Sequence, residues 1–211
     1  MICVSLAHIS GLEEAIHSGA GLIELRLDLI KEAPSMLLPL IPKNMDSIVT
    51  CRGGVYGESE RMELLKAGMK LGASYVDIEI ETAADQMEDL VSAAKQSGCR
   101  VIISYHNFER TSDREDLESL MIASYEKGAD IAKIATRVNA AEDIRNLLNL
   151  YELPGKKVIL GMGPMGRITR VMGPYLGAAF TFASLGDGGE TAPGQLTVNQ
   201  LNEIYKVIDE S

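Results

Sequence analysis

Eight short apolar runs recur along the chain, and the segments between them carry helical spacing. The runs are ICVSL (2–6), LIELRL (22–27), SIVTC (47–51), YVDIEI (75–80), RVIISY (100–105), DIAKIA (130–135), KVILGM (157–162) and AAFTFA (178–183). Runs of this length and composition are strands. Between them, Met87, Leu90, Val91 and Ala94 fall on one helical face of 84–96. Leu117, Leu120, Met121 and Ser124 do so in 113–126, and Ile144, Leu147, Leu148 and Tyr151 in 139–150. A last helix over about 197–208 presents Leu201, Ile204 and Ile208. Alternating strands and helices demand a parallel sheet with helical crossovers. Eight such units in 211 residues predict an α/β fold, a (β/α)8 TIM barrel, as one catalytic domain over residues 1–211. A doubly wound open sheet is the alternative.

The side-chain alternation favours the barrel. An open parallel sheet covered on both faces needs strands that are apolar throughout. Here Glu24, Arg26 and Asp28 share one face, Asp77, Glu79 and Glu81 another, and Ser104 and His106 a third. These polar positions come late in their strands, at the C-terminal mouth where barrels build their sites. Helices before several strands end in SGAG (18–21), LGAS (71–74), SGCR (97–100) and KGAD (127–130), where a glycine of positive φ closes the last turn.

A net charge of −10 argues against nucleic acid or an anionic membrane surface as a partner. No run of about 18 apolar residues spans a membrane, and MICVSLAHIS lacks the basic start of a signal peptide. Cys3, Cys51 and Cys99 lie far apart in apolar settings, which points to reduced thiols and a cytoplasmic location. Histidines and cysteines do not cluster, so no metal site is expected.

Lys133, in ADIAKIATRV, stands out because desolvating an ammonium is costly. A solvent-seeking lysine at a strand end is the ordinary explanation, but four apolar neighbours and an inward phase oppose it. An amine there can form an imine with a substrate carbonyl, and nearby cations are expected to favour its neutral form. His106, one strand away in the same mouth, suits proton abstraction beside that carbonyl. Arg26, Arg52 and Arg170 are candidate anion clamps. GMGPMG (161–166) matches a dinucleotide fingerprint but sits on the seventh strand, contains Pro164 and lacks the acidic partner. The glycine-rich stretch LGDGGETAPGQL (185–196) reads as a lid, with Thr191 and Gln195 as polar contacts.

The order ELRLD, TCR, SYHNF, AKIA, GRITR and TAPGQ resembles type I 3-dehydroquinate dehydratase over nearly the whole chain. The resemblance implies a Schiff base between Lys133 and the C3 ketone of 3-dehydroquinate, with His106 moving protons in a syn elimination that yields 3-dehydroshikimate. It implies no metal or organic cofactor. It assigns Ser5, Glu24, Arg26, Arg52, Arg170, Thr191 and Gln195 to substrate binding, Arg170 to the carboxylate, and Met162 and Phe182 to apolar walls. It also implies a homodimer. Relatives carry a glutamate after the TCR arginine that orients the histidine; here GGVYGES leaves Tyr56, Glu58 or Glu24 as candidates. A class I aldolase and a non-catalytic ligand-binding barrel are the other readings.

Overall fold

In the computed structural model, which describes residues 1–186 and 190–210, the eight runs form one sheet of parallel strands. The strands are β1 (Ile2–Leu6), β2 (Leu22–Arg26), β3 (Asp46–Thr50), β4 (Tyr75–Glu79), β5 (Arg100–Asn107), β6 (Ile131–Arg137), β7 (Lys157–Met162) and β8 (Thr181–Ala183). Their order, β7-β6-β5-β4-β3-β2-β1-β8, brings the first strand against the last and leaves one seam. A backbone bond from Ala179 N–H to Lys157 O, 2.9 Å, crosses that seam. The result is a nearly closed (β/α)8 barrel rather than an open sheet.

Helices α1 (Leu12–His17), α2 (Leu27–Ile30), α3 (Pro34–Leu37), α4 (Glu58–Lys70) and α5 (Ala84–Ser97) wrap the first half. Helices α6 (Arg114–Glu126), α7 (Ala141–Asn149), α8 (Arg167–Tyr175) and α9 (Val198–Asp209) wrap the second. The spacing-derived face of α5 is buried at Met87, Leu90, Val91 and Ala94. Asp113 starts α6 by accepting from the Asp116 amide, and Thr197 with Gln200 forms a capping box on α9. Ile208, placed on the buried face of that last helix by its spacing, is exposed, because the final turn runs past the barrel wall. Gly19, Gly72, Gly98 and Gly128 all have positive φ, as the recurring helix-end pattern required.

Inside the barrel the chemistry changes with height. Leu22, Ile48, Tyr75, Ile102, Ile131, Val158 and Phe180 pack together below. Two residues further along their strands, the inward positions become Glu24, Thr50, Asp77, Ser104 and Lys133. The apolar layer closes the bottom, so the polar side chains above it open only towards the C-terminal mouth.

Candidate active site

A cavity of about 310 Å³ opens at the C-terminal mouth, the scale of a small-molecule site. Lys133, His106, Glu24, Arg26, Arg52 and Arg170 line it, with Met162 and Phe182 as apolar wall. Thr191 and Gln195 close one side. Ser5 does not reach the cavity: it is buried behind Glu24 and donates to that carboxylate.

Lys133 is 5% exposed. The register sets Ser104 opposite Lys133 and His106 opposite Ala135, so the imidazole stands one step above the amine on the neighbouring strand. The expectation of cations around Lys133 needs correcting. Its Nζ lies 2.9 Å from Asp77 Oδ2 and 3.8 Å from Glu24 Oε1, with the Phe182 ring centroid 4.2 Å away. The alternation that turns Lys133 inward turns these carboxylates inward too, so the amine is held as half of a buried ion pair.

Asp77 is the group that sequence reasoning missed. It is 1% exposed, accepts from Ser104 Oγ at 2.5 Å and pairs with Arg52 Nη2 at 2.9 Å. Burial by itself would raise its pKa; the Arg52 and Lys133 cations overcome this and hold the carboxyl well below the usual range. Its inward phase was visible in the sequence, but its partners lie on β5, on β6 and just past β3.

The three arginines are not equivalent. Arg26 is forked onto Asp28, with Nε at 3.0 Å and Nη2 at 2.6 Å. Arg52 is engaged by Asp77 and by Ser104 Oγ, at 2.9 Å each. Arg170, 1% exposed, makes no salt bridge among the described residues, Glu190 being the acidic group whose charge acts on it; its Nη1 donates to Phe182 O at 3.3 Å and its Nε is unsatisfied. Burial lowers its pKa to about 10. A desolvated cation with an unsatisfied N–H and no salt bridge suits a ligand anion.

His106 is pushed well below the ordinary histidine range, first by burial and then by Arg52 and Lys133. The imidazole is therefore a neutral base near pH 7. Its ring stacks on Phe108 at 15° and 6.3 Å between centroids. None of the three candidate orienting groups touches it. Glu58 pairs with Arg61 at 2.8 Å, Tyr56 packs against the barrel–helix core, and Glu24 is taken by Ser5, Thr50 and Lys133. Glu79, which sequence reasoning left out of the site, shares the cavity wall with His106, as Glu24 does.

The two glycine-rich stretches meet. Within the turn after β7, a Cβ on Gly166 would lie 2.3 Å from Gly161 C, so the glycines there serve close backbone packing. Thr169 Oγ1 ties the turn by accepting from Gly161 N–H at 2.7 Å and donating to Gly166 O at 2.8 Å. The lid lies over this turn, with Thr191 N–H donating to Gln195 Oε1 at 2.8 Å. Residues 187–189 of the expected lid fall outside the described residues.

Comparison with known proteins agrees with this geometry. The type I 3-dehydroquinase family matches residues 2–211. A 3-dehydroquinate dehydratase from Methanocaldococcus jannaschii is 35% identical over 224 residues, covering 99% of this chain and 99% of its own. The crystal structure of the 3-dehydroquinate dehydratase from Aquifex aeolicus VF5 matches with a TM-score of 0.86 and 30% identity, over 98% of either chain. That of the enzyme from Geobacillus kaustophilus HTA426 gives 0.89 and 25%, over 99% of this chain and 91% of that one. A barrel whose mouth joins a buried lysine, a histidine and a buried arginine thus matches the type I 3-dehydroquinase family over residues 2–211, and the chain belongs to that family.

Proposed function

We propose that Lys133 is the imine-forming nucleophile of this hydro-lyase and His106 its acid–base group. The family's reaction removes water from 3-dehydroquinate in the shikimate pathway, and its type I class works through a Schiff base. The observation that carries the assignment is the placement of Lys133 Nζ at the cavity floor, one register step below His106 on the next strand.

The steps follow from charge and reach. The ammonium passes a proton to His106, and the freed lone pair attacks the C3 ketone. The carbinolamine oxygen collects two protons, one returned by His106 and one from the nitrogen, and leaves as water. The iminium withdraws electrons from C2, whose proton His106 takes. The resulting enamine expels the C1 hydroxyl, which His106 protonates as it departs. Water then hydrolyses the iminium and releases 3-dehydroshikimate from Lys133. Arg170 holds the substrate carboxylate, since Arg26 and Arg52 already have carboxylate partners. Glu24, Arg26, Arg52, Thr191 and Gln195 contact the hydroxyl side, and Met162 and Phe182 exclude water. Ser5 fixes Glu24 from behind.

We also read the chain as a single catalytic domain acting as a cytoplasmic homodimer. The resemblance supports the dimer, and the three free, buried cysteines support the location; sedimentation of the purified protein tests the dimer. The assignment of chemistry is tested by borohydride reduction in the presence of 3-dehydroquinate. A stable adduct on the peptide containing Lys133 is expected, and an adduct on another lysine, or none, overturns it.

A further inference from the structure

The geometry points to Asp77 as a positioning residue for the nucleophile: a counter-ion that stays ionised, aims Lys133 and balances the positive nitrogen before and after imine formation. The inference rests on the assignment of Lys133 above.

Asp77 does not line the cavity and is 1% exposed, so it acts on substrate only through its partners. Its Oδ2 faces Lys133 Nζ at 2.9 Å. Its Oδ1 is held by Ser104 Oγ at 2.5 Å and Arg52 Nη2 at 2.9 Å. Two cations and a hydroxyl thus converge on one carboxylate, which leaves it a poor proton acceptor. Glu24 is a weaker partner for the amine, at 3.8 Å, with Ser5 and Thr50 on its oxygens. The Phe182 ring takes another side of Nζ, 4.2 Å from its centroid. Carboxylate and ring together give the side chain a fixed direction.

Charge balance explains why such a group suits this reaction. An ammonium plus a ketone gives an iminium plus water. Nitrogen loses two protons and oxygen gains two, and the new C–N bond replaces the broken C–O bond. The nitrogen carries one positive charge at each end of the step. A fixed anion beside it is therefore compensated in both states, and in the iminium it stabilises the electron sink. Were Asp77 instead to take up the proton lost by the amine, the iminium would form beside a neutral carboxyl and lose that stabilisation. Asp77 also ties Arg52 to the same anchor, so nucleophile and anion-binding wall keep a common reference.

The test is Asp77→Asn, which keeps size and hydrogen bonding but removes the charge. With the fold confirmed by circular dichroism, kcat is expected to fall about 100-fold, the scale of one preorganised electrostatic group, while KM stays within about threefold. The steady-state fraction trapped by borohydride on Lys133 should fall with it. A purely structural role would lower the amount of folded protein and leave kcat per folded molecule and the trapped fraction unchanged; that result overturns the inference. A second measurement needs no variant. In wild-type protein carrying ¹³C-aspartate, the infrared difference between substrate-saturated and free enzyme should show no aspartic acid band. Appearance of a protonated buried aspartic acid overturns it. Wild-type protein that yields no Lys133 adduct defeats the nucleophile assignment and this inference together. An adduct in wild type with unchanged kcat and trapping in Asp77→Asn defeats this inference alone.

Discussion

The amide of Gly163 donates to the carbonyl of Pro193 at 3.0 Å and so fastens the lid to the turn after β7. Gly194 follows with φ +79°, and a Cβ there would stand 2.5 Å from Gly163 O. Below the lid, Ser184 bridges to Thr197 in register with β8, which pins its far end. The lid is thus docked at two backbone positions, and Thr191 and Gln195 face the cavity between them.

Gly194→Ala should therefore undock the lid. A left-handed backbone costs a non-glycine residue about 1–2 kcal/mol, and the contact with Gly163 adds to that. The expected outcome is a fall in kcat/KM of roughly tenfold, the rate equivalent of about 1.4 kcal/mol. Faster proteolysis within 190–196 should accompany it. The unfolding midpoint should barely move, because the lid lies outside the strands. Unchanged kinetics would show that docking is not needed for turnover.

Arg170→Gln separates binding from stability. Losing a buried, charge-assisted partner for the substrate carboxylate costs about 2–5 kcal/mol, so KM should rise roughly 30-fold or more. In the absence of substrate the guanidinium is buried with no salt bridge among the described residues and an unsatisfied Nε. Its removal should leave thermal stability unchanged or raised. A KM near wild type would place the carboxylate elsewhere.

Lys133→Ala should abolish borohydride trapping and lower kcat roughly 10³-fold or more. It also takes the ammonium from two buried carboxylates, leaving Asp77 to Arg52 and Glu24 to the hydroxyls of Ser5 and Thr50. Breaking a buried pair from one side costs on the order of 3–5 kcal/mol, so the variant should melt earlier than wild type. Turnover comparable to wild type would end the imine mechanism.

The pH profile carries a sign set by His106. Burial, Arg52 and Lys133 hold its pKa well below the usual value. The base is the neutral form, so kcat/KM should stay level from neutrality down past about pH 6.5, the ordinary histidine value, and fall only beyond. In the unfolded chain the same group gains its proton near about pH 6.5. Between the folded and unfolded values the unfolded state binds more protons. This contribution to stability is therefore complete above that window and is lost as pH falls through it. Asp77, depressed by Arg52 and Lys133, adds a second loss below about pH 3.9. Rate profiles and thermal unfolding from about pH 2 to about pH 8 check both; an acid limb at or above about 6.5 contradicts the burial of the imidazole.

Much of this molecule was readable from its residues. Alternation with period two on YVDIEI and DIAKIA put Asp77 and Lys133 on the same kind of inward face, and the helix-end glycines placed the strand starts. The reason is local: side-chain phase on a strand and positive φ at a turn depend on a few neighbouring positions. Those local rules, read across eight strands, determined the barrel, its mouth, and the pairing of a lysine with a histidine inside it. The partners were decided by closure of the sheet. Only the order of strands brings Asp77 of β4 against Lys133 of β6 and sets Arg52 on the same carboxylate. Only tertiary contact seats Pro193 on Gly163, and engages Glu58 with Arg61 and Tyr56 with the core rather than with His106. An ion pair forms between groups that are close in space, and electrostatic energy falls with distance rather than with separation along the chain. The sequence determined which side chains enter the barrel, and the folded sheet decided which of them meet.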